Sequence, residues 1–98
     1  MARLDVYENG TTGYLLDVQA DIVYGLNTRL IVPLLPARLA PLPAKRLNPV
    51  FEIEGREYVM VTQYLASMPT RALGHRVSNL RGQHDTVVAA LDMIFLGF

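Results

Sequence analysis

The sequence contains no cysteine, which excludes disulfides, thiolate metal sites and a cysteine nucleophile together. It holds two histidines, and without spaced acidic or thiol partners these do not form a metal site. Neither sign of charge dominates. Nine basic and nine acidic residues cancel to a formal net charge of +0, so no general electrostatic pull toward nucleic acid exists and none is expected to bind directly. Long apolar runs are missing too. The longest, Leu30 to Leu35 with Pro33 inside it and Met93 to Phe98, are far too short to cross a bilayer. The opening Met1-Ala2-Arg3-Leu4-Asp5 puts an acidic residue inside what would be the apolar stretch of a signal peptide. A glycine-rich phosphate loop is also absent, since Gly10 and Gly13 read as hairpin turn residues. The expectation is a cytoplasmic protein without membrane contact, metal or cofactor.

What is present is apolar. Of 98 residues, 51% are hydrophobic and 18% charged. A chain of this length makes one domain, residues 1–98. So small a domain buries only part of its surface, and the apolar excess points to surface covered by a partner or a second copy.

Periodicity orders the chain. Arg3 to Tyr7 alternates polar and apolar side chains as a strand does, and Asn9-Gly10 with Gly13 supplies a reversal before a return strand, Tyr14 to Val18. Asp21 to Thr28 is looser, with Gly25 and Asn27 as turn residues. Thr28 to Leu34 reads as a strand covered on both faces, with Pro33 at its end or at a bulge. Pro36, Pro41, Pro43 and Pro49 make residues 36–49 an extended connection, with room for a short turn at Ala37 to Leu39. Val50 to Ile53 and Tyr58 to Thr62 flank Glu54-Gly55-Arg56-Glu57 as a hairpin. Tyr64 to Pro69 turns away, and Arg71 to Val77 forms a last strand.

The period then changes. Val87, Leu91 and Ile94, widened by Val88 and Phe95, predict an amphipathic helix over about 83–95. Gly82 is its expected cap, and Asp85 falls in the first turn, where the helix dipole favours an anion. The fold class is therefore mainly β, an antiparallel sheet closed by a C-terminal α-helix.

The ending Asp92-Met93-Ile94-Phe95-Leu96-Gly97-Phe98 is unusually apolar for a terminus. Two readings fit it. Phe95 and Phe98 plug the core, or Leu96-Gly97-Phe98 overhangs the last helical turn as a docking tip, with Gly97 breaking the helix.

Several segments together resemble the CcdB family of gyrase poisons. Tyr14 to Ile22 is similar to that family's tyrosine strand and its Asp-Val-Gln-Ser-Asp-Ile segment. Ile31-Val32-Pro33-Leu34 with Ala37-Arg38-Leu39 resembles its Val-Ile-Pro-Leu and Ala-Arg-Leu stretches. Leu47, Pro49-Val50 and Ala66-Ser67-Met68-Pro69 resemble Leu…Pro-Val and Ala-Ser-Val-Pro, and the ending resembles Leu-Met-Phe-Trp-Gly-Ile. The resemblance implies a sheet related to SH3-like barrels, the fold shared by CcdB, Kid and MazF toxins. It also implies a homodimer, a non-enzymatic toxin without catalytic residues, and two partners: the DNA gyrase A subunit and a CcdA-like antitoxin whose disordered tail folds over the tip.

By the same resemblance the gyrase-binding residues are Leu96, Gly97 and Phe98, with Phe95, Asp92, Ile22 and Val23 beside them. Residue by residue, Leu96 stands where the family has tryptophan and Phe98 where it has isoleucine, while Asp92 replaces asparagine. Leucine lacks a π face, so a cation–π contribution of about 0.5–2 kcal/mol per tip is absent. For Ile22 and Val23, ordinary core packing is the other reading. A weakened relative that keeps its antitoxin but spares gyrase is one alternative. The other is a MazF/Kid-like endoribonuclease, for which Arg81, His84 and Asp85 are the clustered acid–base candidates. His75, His84 and Asp85 with Ser67 or Ser78 as nucleophile have no spacing that fixes a triad, and Arg71, Arg76 and Arg81 read as a solvated edge.

Overall fold

A computed structural model of the chain describes residues 2–20, 26–41 and 44–97. Its strands are β1 (Asp5–Glu8), β2 (Tyr14–Asp17), β3 (Thr28–Leu35), β4 (Val50–Ile53), β5 (Arg56–Met60), β6 (Ala66–Pro69) and β7 (Arg76–Asn79), followed by one helix, α1 (His84–Leu96). All described pairings are antiparallel, in the order β4-β5-β3-β2-β1-β7, with β6 also on β3. The architecture is the mainly antiparallel β plus terminal helix that the periodicities predict.

The hairpins sit where turn chemistry puts them. Gly10 and Gly13 take positive φ between β1 and β2, and a Cβ on Gly13 would lie 2.3 Å from the Leu34 carbonyl oxygen. Only glycine fits there. Between β4 and β5 the turn tightens to Glu54 and Gly55, both at positive φ, so β5 begins at Arg56 rather than Tyr58. That pair of left-handed residues matches the twist of a two-residue hairpin.

Other boundaries differ from expectation for identifiable reasons. Leu4 is at φ 70, so β1 starts at Asp5 and not at Arg3. The kink is held because the Leu4 amide donates to the Asp17 carbonyl at 2.7 Å and its carbonyl accepts from Leu80 at 2.8 Å. Pro33 neither ends β3 nor marks a break. It pairs with Leu15, and its carbonyl accepts from Val61 on the far edge. In an extended strand N and O of one residue point the same way. The missing N–H therefore falls where the neighbour of β3 changes from β6 to β5.

Ala66–Pro69 does not turn away; it pairs with Thr28 to Ile31 as β6. The last strand runs Arg76–Asn79, starting five residues after the expected Arg71, because Thr70–Ala72 forms a 3₁₀ turn. Gly82 lies in another 3₁₀ turn, Arg81–Gln83, and does not cap α1. Gln83 occupies the cap position with no side-chain bond, while Asp85 is in the first turn as predicted.

The sheet has two unlike faces. One carries Val6, Leu16, Val18, Val32 and Leu34, which pack with Phe51, Ile53 and Met60 against Val87, Ala90 and Leu91 of α1. The other carries Asp5, Tyr7, Leu15, Asp17, Arg29 and Ile31, all buried as well. β3 is thus covered on both faces over Ile31 and Val32, but Leu30, on the core side by alternation, is 43% exposed.

Candidate functional site

The core ends before the helix does. Val87, Ala90 and Leu91 are buried, whereas Ile94 is 40% exposed, Phe95 65% and Leu96 60%. The predicted stripe Val87, Leu91, Ile94, Val88 and Phe95 therefore splits into a packed half and an open half. Of the two readings of the terminus, core plugging by Phe95 is excluded. Three consecutive large apolar side chains stand open to solvent at the end of a helix.

Gly97 then stops the helix. It sits in the left-handed region at φ 80 and donates its amide to the Met93 carbonyl at 3.1 Å, an αL cap. A side chain at this position would meet open space but a strained backbone. The cap holds the backbone at Leu96 in a fixed direction, so the exposed side chains belong to an ordered helical end. Asp92, half-buried, lies one turn back. Phe98 lies outside the described residues, as do Ile22 and Val23.

The neck of the connection carrying Ile22 and Val23 is described, and sequence reasoning missed what holds it. Asp17, fully buried, accepts from Arg29 Nε at 2.8 Å and from the Gln19 amide at 3.0 Å. Gln19 Oε1 in turn accepts from the Leu30 amide at 3.1 Å, and the Val18 amide donates to the Leu30 carbonyl at 3.0 Å. At the far end the Asn27 carbonyl accepts from Thr70 at 2.8 Å. A carboxylate and a guanidinium in two otherwise apolar strands were the available signal.

A second polar group extends across the same face. Asp5 accepts from Arg76 Nε at 2.8 Å, from Asn79 Nδ2 at 2.9 Å and from the Ala2 amide at 2.9 Å. Burial pushes the Asp5 carboxyl up, but these donors outweigh it and hold it below its ordinary value. Burial, with the nearby Asp5 and Asp17 carboxylates, pushes the Tyr7 hydroxyl up. Arg76 is thus the clamp of a buried carboxylate and not simply a solvated edge residue, while Arg71 and Arg81 are exposed.

The acid–base candidates come together without forming an enclosed site. His84 Nδ1 lies 3.2 Å from Asp85 Oδ1, and with Arg81 they rim an open depression at the start of α1. All three are exposed. Ser67 and Ser78 are separated by the path β6-β3-β2-β1-β7, so no triad is assembled. Among the described residues no cluster of three potential metal ligands occurs, and no helix is long and apolar enough to cross a membrane.

The family model described as CcdB protein matches residues 3–97. Its span covers every element from the Leu4 kink to the Gly97 cap.

Proposed function

Since the chain belongs to the CcdB protein family, the gyrase-poisoning toxins of CcdA/CcdB toxin–antitoxin systems, which are not enzymes, we propose that its open helix end is the part that engages gyrase. Leu96, Gly97 and Phe98 form the tip, and Phe95, Asp92, Ile22 and Val23 flank it. The observation that carries this is the exposure of Ile94, Phe95 and Leu96 on an ordered, capped helix. Leaving three large apolar side chains in water forgoes burial worth about 1.5–3 kcal/mol each. That loss is recovered only when something covers them.

The family implies the gyrase A subunit and a CcdA antitoxin as partners. We take the toxin to act in the cytoplasm as a homodimer, with two tips entering a two-fold target together. Symmetry supports this, because linked tips make the second contact intramolecular. Exposed Leu30 and Ile94 offer apolar surface for the second copy. The antitoxin's tail would then neutralise the toxin by covering the same apolar end.

Expression in a gyrase-sensitive strain tests the assignment. The intact chain is expected to arrest growth, and the chain lacking Leu96, Gly97 and Phe98 to be harmless though folded. Equal toxicity of the two would place the poison elsewhere.

A further inference from the structure

The geometry points to a binding site for a small organic cation, an alkylammonium or guanidinium head, in the depression between Tyr14 and Tyr58. The site lies on the strands and takes nothing from α1. It stands whether or not the helix end engages gyrase.

Sheet register assembles it. Glu8 of β1 stands directly opposite Tyr14 of β2, and directly opposite residues share a face of the sheet. Tyr14 pairs with Leu34, and Leu34 with Met60, so Tyr58, two residues before Met60, faces the same side. The two tyrosine rings, from the strands on either side of β3, meet edge to face with centroids 4.9 Å apart and 81° between their planes. Both are half-buried and pack against the core. With Glu8, Gly10, Thr11 and Gly13 they line an open depression of about 140 Å³. The two glycines bring no side chain into it.

The depression is aromatic and negative at once. Burial pushes the Tyr14 hydroxyl up, and Tyr58 with the Glu54 and Glu8 carboxylates pushes it the same way. Both carboxylates therefore put their field on this ring. The ion pairs among the described residues are Arg29–Asp17, Arg76–Asp5 and His84–Asp85, so neither Glu8 nor Glu54 is neutralised by one. Arg56, the basic residue of β5, is exposed and does not line the depression. A tyrosine face attracts a cation within about 6 Å of its centroid, and more strongly where water is partly excluded. A carboxylate beside the ring adds a charge-assisted hydrogen bond to an N–H of the same cation. An anion would meet only repulsion. The space is also well below the roughly 300–1,000 Å³ that drug-sized ligands occupy, which limits the occupant to a cationic head.

Titration of the isotope-labelled full chain with methylguanidinium, and with N-methylurea as its neutral isostere, tests this by amide chemical shifts. Saturable shifts centred on Gly10, Gly13, Tyr14 and Tyr58 are expected with methylguanidinium and none with N-methylurea. Glu8→Gln and Tyr58→Leu should each weaken binding about fivefold. Tyr58→Phe keeps the ring and should bind as the wild type does, and unchanged shifts elsewhere in the spectrum establish that each variant is folded. Spermidine and a capped Gly-Arg-Gly peptide distinguish the sources of the cation. Tighter binding of the peptide assigns the site to a protein side chain, tighter binding of spermidine to a free polyamine, and equal affinity to the head alone. No shift with any of these cations, equal shifts with N-methylurea, or binding unaltered in both Glu8→Gln and Tyr58→Leu overturns the inference.

Discussion

Asp17 and Arg29 form an ion pair shielded from water: Nε and Nη2 of the arginine lie 2.8 and 2.7 Å from the same carboxylate oxygen, and both side chains are buried. The pair joins β2 to β3 at the point where the chain leaves for the connection holding Ile22 and Val23. Its other oxygen reaches through the Gln19 amide, and Gln19 reaches the Leu30 amide. Breaking a buried pair leaves one charge uncompensated, at a cost of about 3–5 kcal/mol. Arg29→Met is therefore expected to destabilise by roughly that amount in urea unfolding. Arg29→Met combined with Asp17→Leu should recover much of it, because the stranded charge is gone.

Asp5 gives the fold a pH dependence. Its carboxyl is depressed in the folded state, so its stabilisation is present above the unfolded pKa of about 4 and is lost as pH falls through the lower folded value. Stability measured by denaturant titration should decline on acidification from about pH 5 downward. Asp5→Asn should flatten that decline and be less stable at neutral pH. An unchanged acid limb in Asp5→Asn would assign the decline to other groups.

The two halves of the α1 stripe should respond oppositely to substitution. Leu91, in the packed half, is expected to cost about 2–5 kcal/mol on change to alanine. Phe95, in the open half, should change stability by no more than about 0.5 kcal/mol on change to serine. Gyrase binding should show the reverse order, intact in folded Leu91→Ala and lost in Phe95→Ser. Thermal unfolding beside a gyrase pull-down reads both.

Leu96→Trp should strengthen the poison. Leu96 is exposed, so a larger side chain meets no packed neighbour. An indole adds a π face worth about 0.5–2 kcal/mol against a cation, which is up to roughly a thirtyfold gain in affinity. Growth arrest should therefore need less Leu96→Trp than wild-type protein, and equal potency would show that the added π face meets no cation.

Much of this was legible in the sequence, for local reasons. The hairpins follow from Asn9-Gly10, Gly13 and Gly55, residues whose backbone freedom acts on immediate neighbours. The helix follows from a period that no strand shares. β6 was hidden because Ala66-Ser67-Met68-Pro69 has no alternation and packs weakly; only its pairing with β3 makes it a strand. The buried polar face was hidden because its partners lie far apart, Asp17 from Arg29 and Asp5 from Arg76, and charges ordinarily read as surface. The helix end is the instructive case. Val87 and Leu91 share one apolar stripe with Ile94 and Phe95; what separates them is burial in the folded domain, which the period does not carry.

Incubation of purified gyrase and supercoiled DNA with the wild-type chain or the chain lacking residues 96–98, scored for linear DNA, tests the central claim most directly. Linear product that depends on the wild-type chain, and is absent with the folded truncation, is the predicted result. Equal linear product from both would show that the exposed helix end is not what traps the enzyme.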